Sequence, residues 1–505
     1  MVGTWRLGEI KTRPGTYFRR TATGVTVEGA TNGILACVFK SNFGVLNKVV
    51  DLSPADLNNL EDIFGTGATI LREGFLGGAT TIRAVRVGSG GTASTITLKG
   101  TGSLLYTIRE NPTANLAIAD VAIGRDGNGL LGDDSNDTPA EINLVKLENK
   151  YAGSRAFSIM IRNNLATGGR QLVVLDGTDI FTVVNFAKGG DEAQALVDAL
   201  ANNRYFTATK LASGTLADVT QAKMTAGTDP AVTKASYAAA TDLLERYRWN
   251  CIVADTDDAE VQSVLIDFVK LSYELGHLGF ACIAGRSSQS LDARLSFANA
   301  INDEKVVYVL NGWNDIYGTA YDGYLAAARI GGMIAAVETN NSLTHITISN
   351  ALELIDNFTN GEIIEAEQKG CLVLSLNDNE QVQIDKAINT LVTVGNDMDA
   401  GWSKIRRVKT RFELMTRINQ TCERLVGRLN NDSNGRSTIV AAMQGVIDEM
   451  IAEKKLFFGS NAKLDPDHKP EGDRAYFLIN VGDIDSLEFF YLTYVYSYSN
   501  PFEEV

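Results

Sequence analysis

Asp255-Thr256-Asp257 sets two carboxylates with a single residue between them, close enough in a turn to hold a divalent cation. The triplet follows the apolar run Cys251-Ile-Val-Ala254 and precedes an amphipathic stretch over about 257–275, a pattern that predicts strand, turn and helix. Open α/β sheets bind ligands outside the carboxyl ends of their strands, so Asp255 and Asp257 could hold magnesium for phosphate transfer. Asp257 and Asp258 serve equally well as an N-cap and first-turn anions of the following helix. An α/β metal-dependent enzyme using Asp255 and Asp257 therefore competes with a structural reading of the same residues.

The other spacings that suggest chemistry lack the context chemistry needs. His277, His345 and His468 are the only histidines, and no two lie within helix or hairpin reach, which argues against a zinc site or a His-based triad. Gly127-Asn-Gly129-Leu-Leu-Gly132 has dinucleotide-binding spacing, yet it follows Arg125-Asp126 and runs into Asp133-Asp-Ser-Asn-Asp137, so it reads as an acidic loop. Leu130 stands in that loop where calcium would need an oxygen ligand, and no glutamate closes it. Ser460-Asn-Ala-Lys463 has the spacing of an acylating serine without its companion motifs. No phosphate-binding loop of the form Gly-x-x-x-x-Gly-Lys-Ser/Thr occurs. The expectation is no catalysis, no metal and no cofactor.

Composition narrows the partners. A formal charge of -15 disfavours nucleic acid, because phosphate contact needs clustered cations. The longest apolar helix candidate, Ile330 to Val337, is flanked by Arg329 and Glu338 and is too short to span a bilayer, so no membrane insertion is expected; the N-terminus carries no apolar signal core. Cys37, Cys251, Cys282, Cys371 and Cys422 are odd in number and far apart, which suits free thiols in a reducing cytoplasm.

At 505 residues the chain exceeds one hydrophobic core, and three or four domains are expected. Residues 1–24, with Pro14, Gly15, Tyr17 and Phe18, suit an extended arm. Residues 25–91 and 206–337 alternate strand and helix as one discontinuous α/β domain, built on strands at Ile34-Leu-Ala-Cys-Val-Phe39, Thr81–Val87, Cys251–Ala254, Phe280–Ile283 and Val306–Leu310. Short β-rich runs separated by Gly and Asn make 92–205 an inserted β-rich domain. A C-terminal α+β domain follows over 338–490: a helix near 348–358, a hairpin of Cys371–Leu376 with Val382–Val394, and two amphipathic helices marked by Phe412 to Leu429 and Ile439 to Ile451. The fold class is thus α/β and α+β multidomain, with a terminal arm at 491–505.

Two features are left without a partner by this layout. Phe490, Leu492, Tyr494, Tyr496 and Tyr498 fall on one face of a closing strand and Phe489, Tyr491, Thr493 and Val495 on the other, with no charge between Phe489 and Asn500. Either it is the last strand of an internal sheet or its end is added to the sheet of a neighbouring copy. Lys404, Arg406, Arg407, Lys409, Arg411, Arg417, Arg424 and Arg428 face only Glu413 and Glu423 in their own stretch. They read as a solvated helix face or as a docking surface for an acidic partner.

Particular motifs then carry a likeness: Gly361-Glu-Ile-Ile-Glu-Ala-Glu-Gln-Lys-Gly-Cys-Leu-Val-Leu374, Ala387-Ile-Asn-Thr-Leu-Val-Thr393, Trp402-Ser-Lys-Ile-Arg-Arg-Val-Lys409, Asn434-Gly-Arg-Ser-Thr-Ile-Val-Ala-Ala442 and Asp485-Ser-Leu-Glu-Phe-Phe-Tyr-Leu-Thr493. Phe43–Val50 and Gly77–Arg86 add to it. By these the chain resembles the contractile tail sheath proteins of bacteriophages and related phage-derived contractile particles. The resemblance implies a homo-oligomeric helical sleeve around a tail tube protein, with baseplate and tail terminator proteins at its ends. It implies no catalysis, a place in the virion tail or a phage-derived particle, and assembly in the host bacterial cytoplasm. It further implies terminal arms that join neighbouring sheets and a C-terminal domain lining the sleeve, so Lys404, Arg406, Arg407, Arg417, Arg424 and Arg428 are expected to face the tube. Open helical strand exchange is the symmetry that builds filaments.

Overall fold

The computed structural model describes residues 2–4, 16–18, 32–103, 141–395, 398–494 and 496. Its central element is a seven-stranded sheet in the order Cys371–Leu372, Val306–Val309, Phe280–Ala284, Cys251–Ala254, Ile34–Phe39, Thr81–Arg86, Val49–Leu52. All neighbours are parallel except the last pair. Parallel sheets are covered on both faces, which is why Ile34–Phe39 is apolar and buried at every position. Leu35, Cys37 and Phe39 enter one core, while Ile34, Ala36 and Val38 enter the other.

The first face packs against helices Ala68–Leu76 and Tyr324–Ala336 and against Ile405, Val408 and Phe412 of a third helix, Ile405–Glu423. The second carries Lys234–Leu244, Ala259–Glu274 and Leu291–Ile301. Gly74 and Gly332 let two helix backbones touch, since a Cβ at Gly332 would strike the Gly74 carbonyl. That contact explains the short apolar run after Arg329: it is a buried helix, and among the described residues no helix is long and apolar enough to cross a membrane. Arg329 bridges the same helices through a 2.8 Å pair with Glu73, both side chains nearly fully buried. The cysteines stand as free thiols, Cys422 half-buried and the others buried.

The β unit consists of two four-stranded antiparallel sheets sharing one core, with helix Glu192–Leu200 packed into it. It extends beyond the expected end at 205. Strands Phe206–Lys210 and Ser213–Leu216 pair into one sheet and Val219–Lys223 into the other. Their alternating, half-buried residues carry little apolar signal, so they were legible only through their partners.

This unit is clasped to the central sheet by two arginines running in opposite directions. Arg86, fully buried at the end of Thr81–Arg86, donates to the carbonyls of Ser41 (2.7 Å), Gly44 (2.6 Å) and Ala152 (2.7 Å). Arg155 reaches back to the Glu61 carbonyl at 2.6 Å and to Asp176 at 2.6 Å. Its guanidinium lies over the rings of Phe43, Phe157 and Phe181, 4.9, 5.4 and 4.8 Å from their centroids.

The C-terminal third departs from expectation at several points. No helix forms at 348–358: Asn350 takes a left-handed φ of 62° and Glu353–Leu354 pairs with Trp313–Asn314. The helix is instead Asn360–Gln368, started by a capping box between Thr359 and Glu362. The expected hairpin shrinks to Leu374–Leu376 with Val382–Ile384, because Cys371–Leu372 leaves to become the edge of the central sheet. The first amphipathic helix ends at Glu423, before Leu425 and Leu429; the second is Ser433–Ala452. A hairpin of Asn461–Leu464 with Phe477–Asn480 packs on that second helix through Ala462, Phe477 and Ile479.

At the N-terminus, Val2–Thr4 pairs in parallel with Thr16–Phe18, which includes Tyr17 and Phe18. Pro14, Gly15, the loop over 127–137 and Tyr498 lie outside the described residues.

Candidate assembly site

Helix Ile405–Glu423 begins awkwardly. Lys404 is its N-cap, Arg406 and Arg407 follow, and no acidic residue occupies its first turn. Cations at a helix N-terminus oppose the macrodipole, so anions must come from elsewhere. They come from the segment after the last hairpin strand. Arg407 grips Asp483 with two bonds, Nε to Oδ2 at 2.6 Å and Nη2 to Oδ1 at 2.8 Å, and Arg411 Nη2 reaches the same carboxylate at 3.0 Å. Lys404 Nζ lies 2.9 Å from Asp485 and 3.0 Å from Glu488. Arg406 donates to the Ile484 carbonyl at 2.6 Å.

The backbone joins in. Ile484 N–H donates to the Lys455 carbonyl at 3.0 Å and Phe457 N–H to the Gly482 carbonyl at 2.9 Å. Glu488 also accepts from Ser486 (2.8 Å), Ser342 (3.1 Å) and Thr344 (3.3 Å). Burial pushes the Asp483 carboxyl up, but the Arg407 and Arg411 guanidiniums outweigh it and hold it below the ordinary carboxylate range. Glu488 is held down in the same way, burial being outweighed by the Ser486 hydroxyl and the Lys404 ammonium.

These contacts correct the reading of the basic stretch. Its cations are largely matched by acids distant in sequence, not by Glu413 and Glu423 alone. Arg417, expected to face the tube, is buried and paired with Glu453 at 2.9 Å. Lys409 is buried and donates to the carbonyls of Ile334 (2.7 Å), Ala335 (3.1 Å) and Val337, capping the C-terminus of Tyr324–Ala336. Arg424 and Arg428 are exposed.

From Phe489 to Tyr494 the chain runs exposed. Residues 485–494 form no regular strand, and Phe490, Leu492, Tyr494 and Tyr496 stand 70–90% exposed. Phe489 and Tyr491 are exposed too. A contiguous apolar surface of this kind marks a contact site. Among the described residues, Asn461–Leu464 and Phe477–Asn480 form a two-stranded sheet, an arrangement marginal by itself.

The carboxylate pair is engaged otherwise. Asp255, buried, accepts from the Tyr237 hydroxyl at 2.7 Å and from Lys40 N–H at 2.8 Å; burial pushes its carboxyl up to about 6. Asp257 pairs with Arg286 and accepts from Tyr324 N–H at 2.8 Å, so it caps the Tyr324–Ala336 helix while Asp258 caps Ala259–Glu274. Two carboxylates tied to different partners do not converge on a cation, and no cluster of metal-ligating side chains occurs among the described residues. Ser460 donates to the Phe457 carbonyl and is 7% exposed.

Asp255 and Asp257, at the carboxyl edge of the sheet, are thus engaged by internal partners, while the anchored tail carries an exposed aromatic surface. Residues 230–390 match the family model for the phage tail sheath protein central domain. The fold is similar to the sheath tail protein from Desulfitobacterium hafniense, at 16% identity, with 91% of this chain and 100% of that chain covered and a TM-score of 0.66. It is likewise similar to the sheath tail protein Lin1278 from Listeria innocua, at 15% identity, 90% and 96% coverage and a TM-score of 0.61. The helical sheath of the anti-feeding prophage in its contracted state shares 10% identity over 96% of this chain and 99% of that chain, with a TM-score of 0.51. No curated protein matches the sequence. The family match and the shared fold together support a contractile tail sheath protein, with a structural and non-enzymatic role.

Proposed function

We propose that this chain polymerises by exchange of terminal strands into a helical sleeve around an inner tail tube, and that the sleeve shortens to drive the tube through a cell envelope. The observation that carries the reading is the exposed, uncharged run from Phe489 to Tyr494, which follows in sequence a hairpin that is two-stranded among the described residues. Strand addition of the run from Phe490 to Tyr494 to a neighbour's hairpin supplies a hydrogen-bond ladder at about 0.5–1.5 kcal/mol per bond and buries aromatic side chains at about 1.5–3 kcal/mol each. The N-terminal arm over 1–24 makes the corresponding link in the other direction.

The working division of the chain is two arms, a discontinuous α/β domain, an inserted β domain and a C-terminal domain lining the sleeve. With the helix-start cations committed internally, Arg424 and Arg428 are the basic residues that meet the tube. Baseplate and terminator proteins close the ends, and assembly takes place in the host cytoplasm before the tail is complete. With no nucleotide loop in the chain, the energy of contraction is stored as metastable subunit packing.

Negative-stain microscopy of the purified chain tests this reading: tubes or stacked rings are expected, and removal of residues from Thr493 onward leaves folded subunits that form none. A small compact oligomer in place of tubes, or truncated chains that still form tubes of normal length, would overturn it.

A further inference from the structure

A chain end that pairs with a neighbour's hairpin faces a competitor: its own hairpin is tethered to it, at an effective concentration of order millimolar for a short flexible link. The connection here is short, since Phe477–Asn480 is followed by only residues 481–488 before the aromatic run begins. Hairpin connections need no more than two to five residues. Self-closure would therefore be the default, yet among the described residues the hairpin stays two-stranded.

The connecting residues are all but consumed by other contacts. Gly482 and Ile484 are bonded to Phe457 and Lys455, in register with the Leu456–Asp483 bridge. Asp483 is fixed by Arg407 and Arg411, Asp485 by Lys404, and Glu488 by Lys404, Ser342 and Thr344. The backbone contacts prolong the two arms of the hairpin, whereas the side-chain partners Lys404, Arg407, Arg411, Ser342 and Thr344 all lie outside it. A segment held at Asp483, Asp485 and Glu488 by another helix and another loop cannot also make the reversal that would bring Phe490 back along Phe477–Asn480.

We infer that the Lys404, Arg406, Arg407 and Arg411 cluster is a positioning device: by holding Asp483, Asp485 and Glu488 it keeps the tail from closing on its own hairpin and so commits it to a second copy of the chain. The inference rests on the strand-exchange reading and adds to it the means of choosing a neighbour over self. The same cluster leaves the hairpin edge vacant for an incoming tail, so each subunit is both donor and acceptor.

Hydrogen exchange on the full-length chain, dilute and unassembled, is the first arm of the test. Amides of 489–494 are expected to exchange freely in the wild type and to become protected by about tenfold or more in D485N/E488Q, whose tail is released. The second arm is tube formation at matched concentration, expected to fall by about tenfold in that variant as self-closure competes. Protected tail amides in the dilute wild type, or a variant that matches wild type in either arm, would overturn the inference. Because the first measurement needs no substitution, a variant that fails to fold does not shelter the idea. A chain cut before Phe489 separates the two claims: if it still forms tubes, strand exchange itself is wrong; if it does not, and D485N/E488Q assembles normally, only the positioning device falls.

Discussion

Arg407 and Asp483 meet side-on, with paired contacts of 2.6 and 2.8 Å, although 76 positions separate them in the chain. Arg411 shares the same carboxylate, and Asp483 is only 5% exposed. The pair ties the start of one helix to the exit of the tail. Removing its acid leaves two guanidiniums facing each other in a poorly solvated place. Asp483→Ala is expected to cost stability near the lower end of roughly 3–5 kcal/mol, the range for breaking a buried pair, since Arg411 keeps Asp399 and Arg407 keeps some solvent. Urea unfolding of the unassembled chain measures it; a loss under about 0.5 kcal/mol would mean the pair is mere surface decoration.

Acid should loosen the same anchor. Asp483 and Glu488 are both held below their ordinary ranges, so the unfolded chain binds protons more readily than the folded one. Their contribution is complete above the unfolded values of about 3.9 and 4.3 and is lost as pH falls through the lower folded values. Stability measured from pH 6 down to about 3 should therefore fall with a slope that shrinks in Asp483→Asn. An unchanged slope in that variant would assign acid sensitivity to other carboxylates.

The clasp between the β unit and the central sheet gives a separate expectation. Phe43 belongs to the loop after Ile34–Phe39, yet its fully buried ring sits in the β core against Phe157 and Tyr151, at 5.6 and 5.3 Å. Phe43→Ala should cost about 3–5 kcal/mol and uncouple the two units. Calorimetry is expected to resolve a single unfolding transition into two. One transition merely shifted downward would show that the Arg86 and Arg155 bonds hold the units together without the ring.

The proposed tube contact is tested at Arg424 and Arg428, both exposed. Exposed ion pairs are worth about 0–1 kcal/mol each, are weakened by salt, and sum over many subunits. Charge reversal at both positions should reduce extended sheath on tube, most of all at low salt where the wild-type attraction is greatest, while leaving the subunit mesh intact. Equal yields of wild type and variant at low and high salt would move the grip to another surface.

Much of this protein is written locally. The alternation of apolar strands with amphipathic helices predicts the parallel sheet because burial on both faces demands continuous apolar runs such as Ile34–Phe39 and Val306–Val309. The uncharged aromatic run after Glu488 is visible as an unsolved problem for any single chain, since nothing in its own pattern could keep both faces from water. The motifs of the C-terminal third point to the sheath fold before any coordinates. The tertiary structure decided the roles of the polar groups. Lys404 finds Asp485 across 81 positions, Asp257 caps a helix that starts at Tyr324, and strands at 206–223 belong to the β unit by pairing rather than by composition. The difference has a physical cause: burial of apolar surface is roughly additive and non-directional and so can be read from periodicity, whereas a charge is satisfied by particular partners at particular distances, and those are set only when remote segments meet.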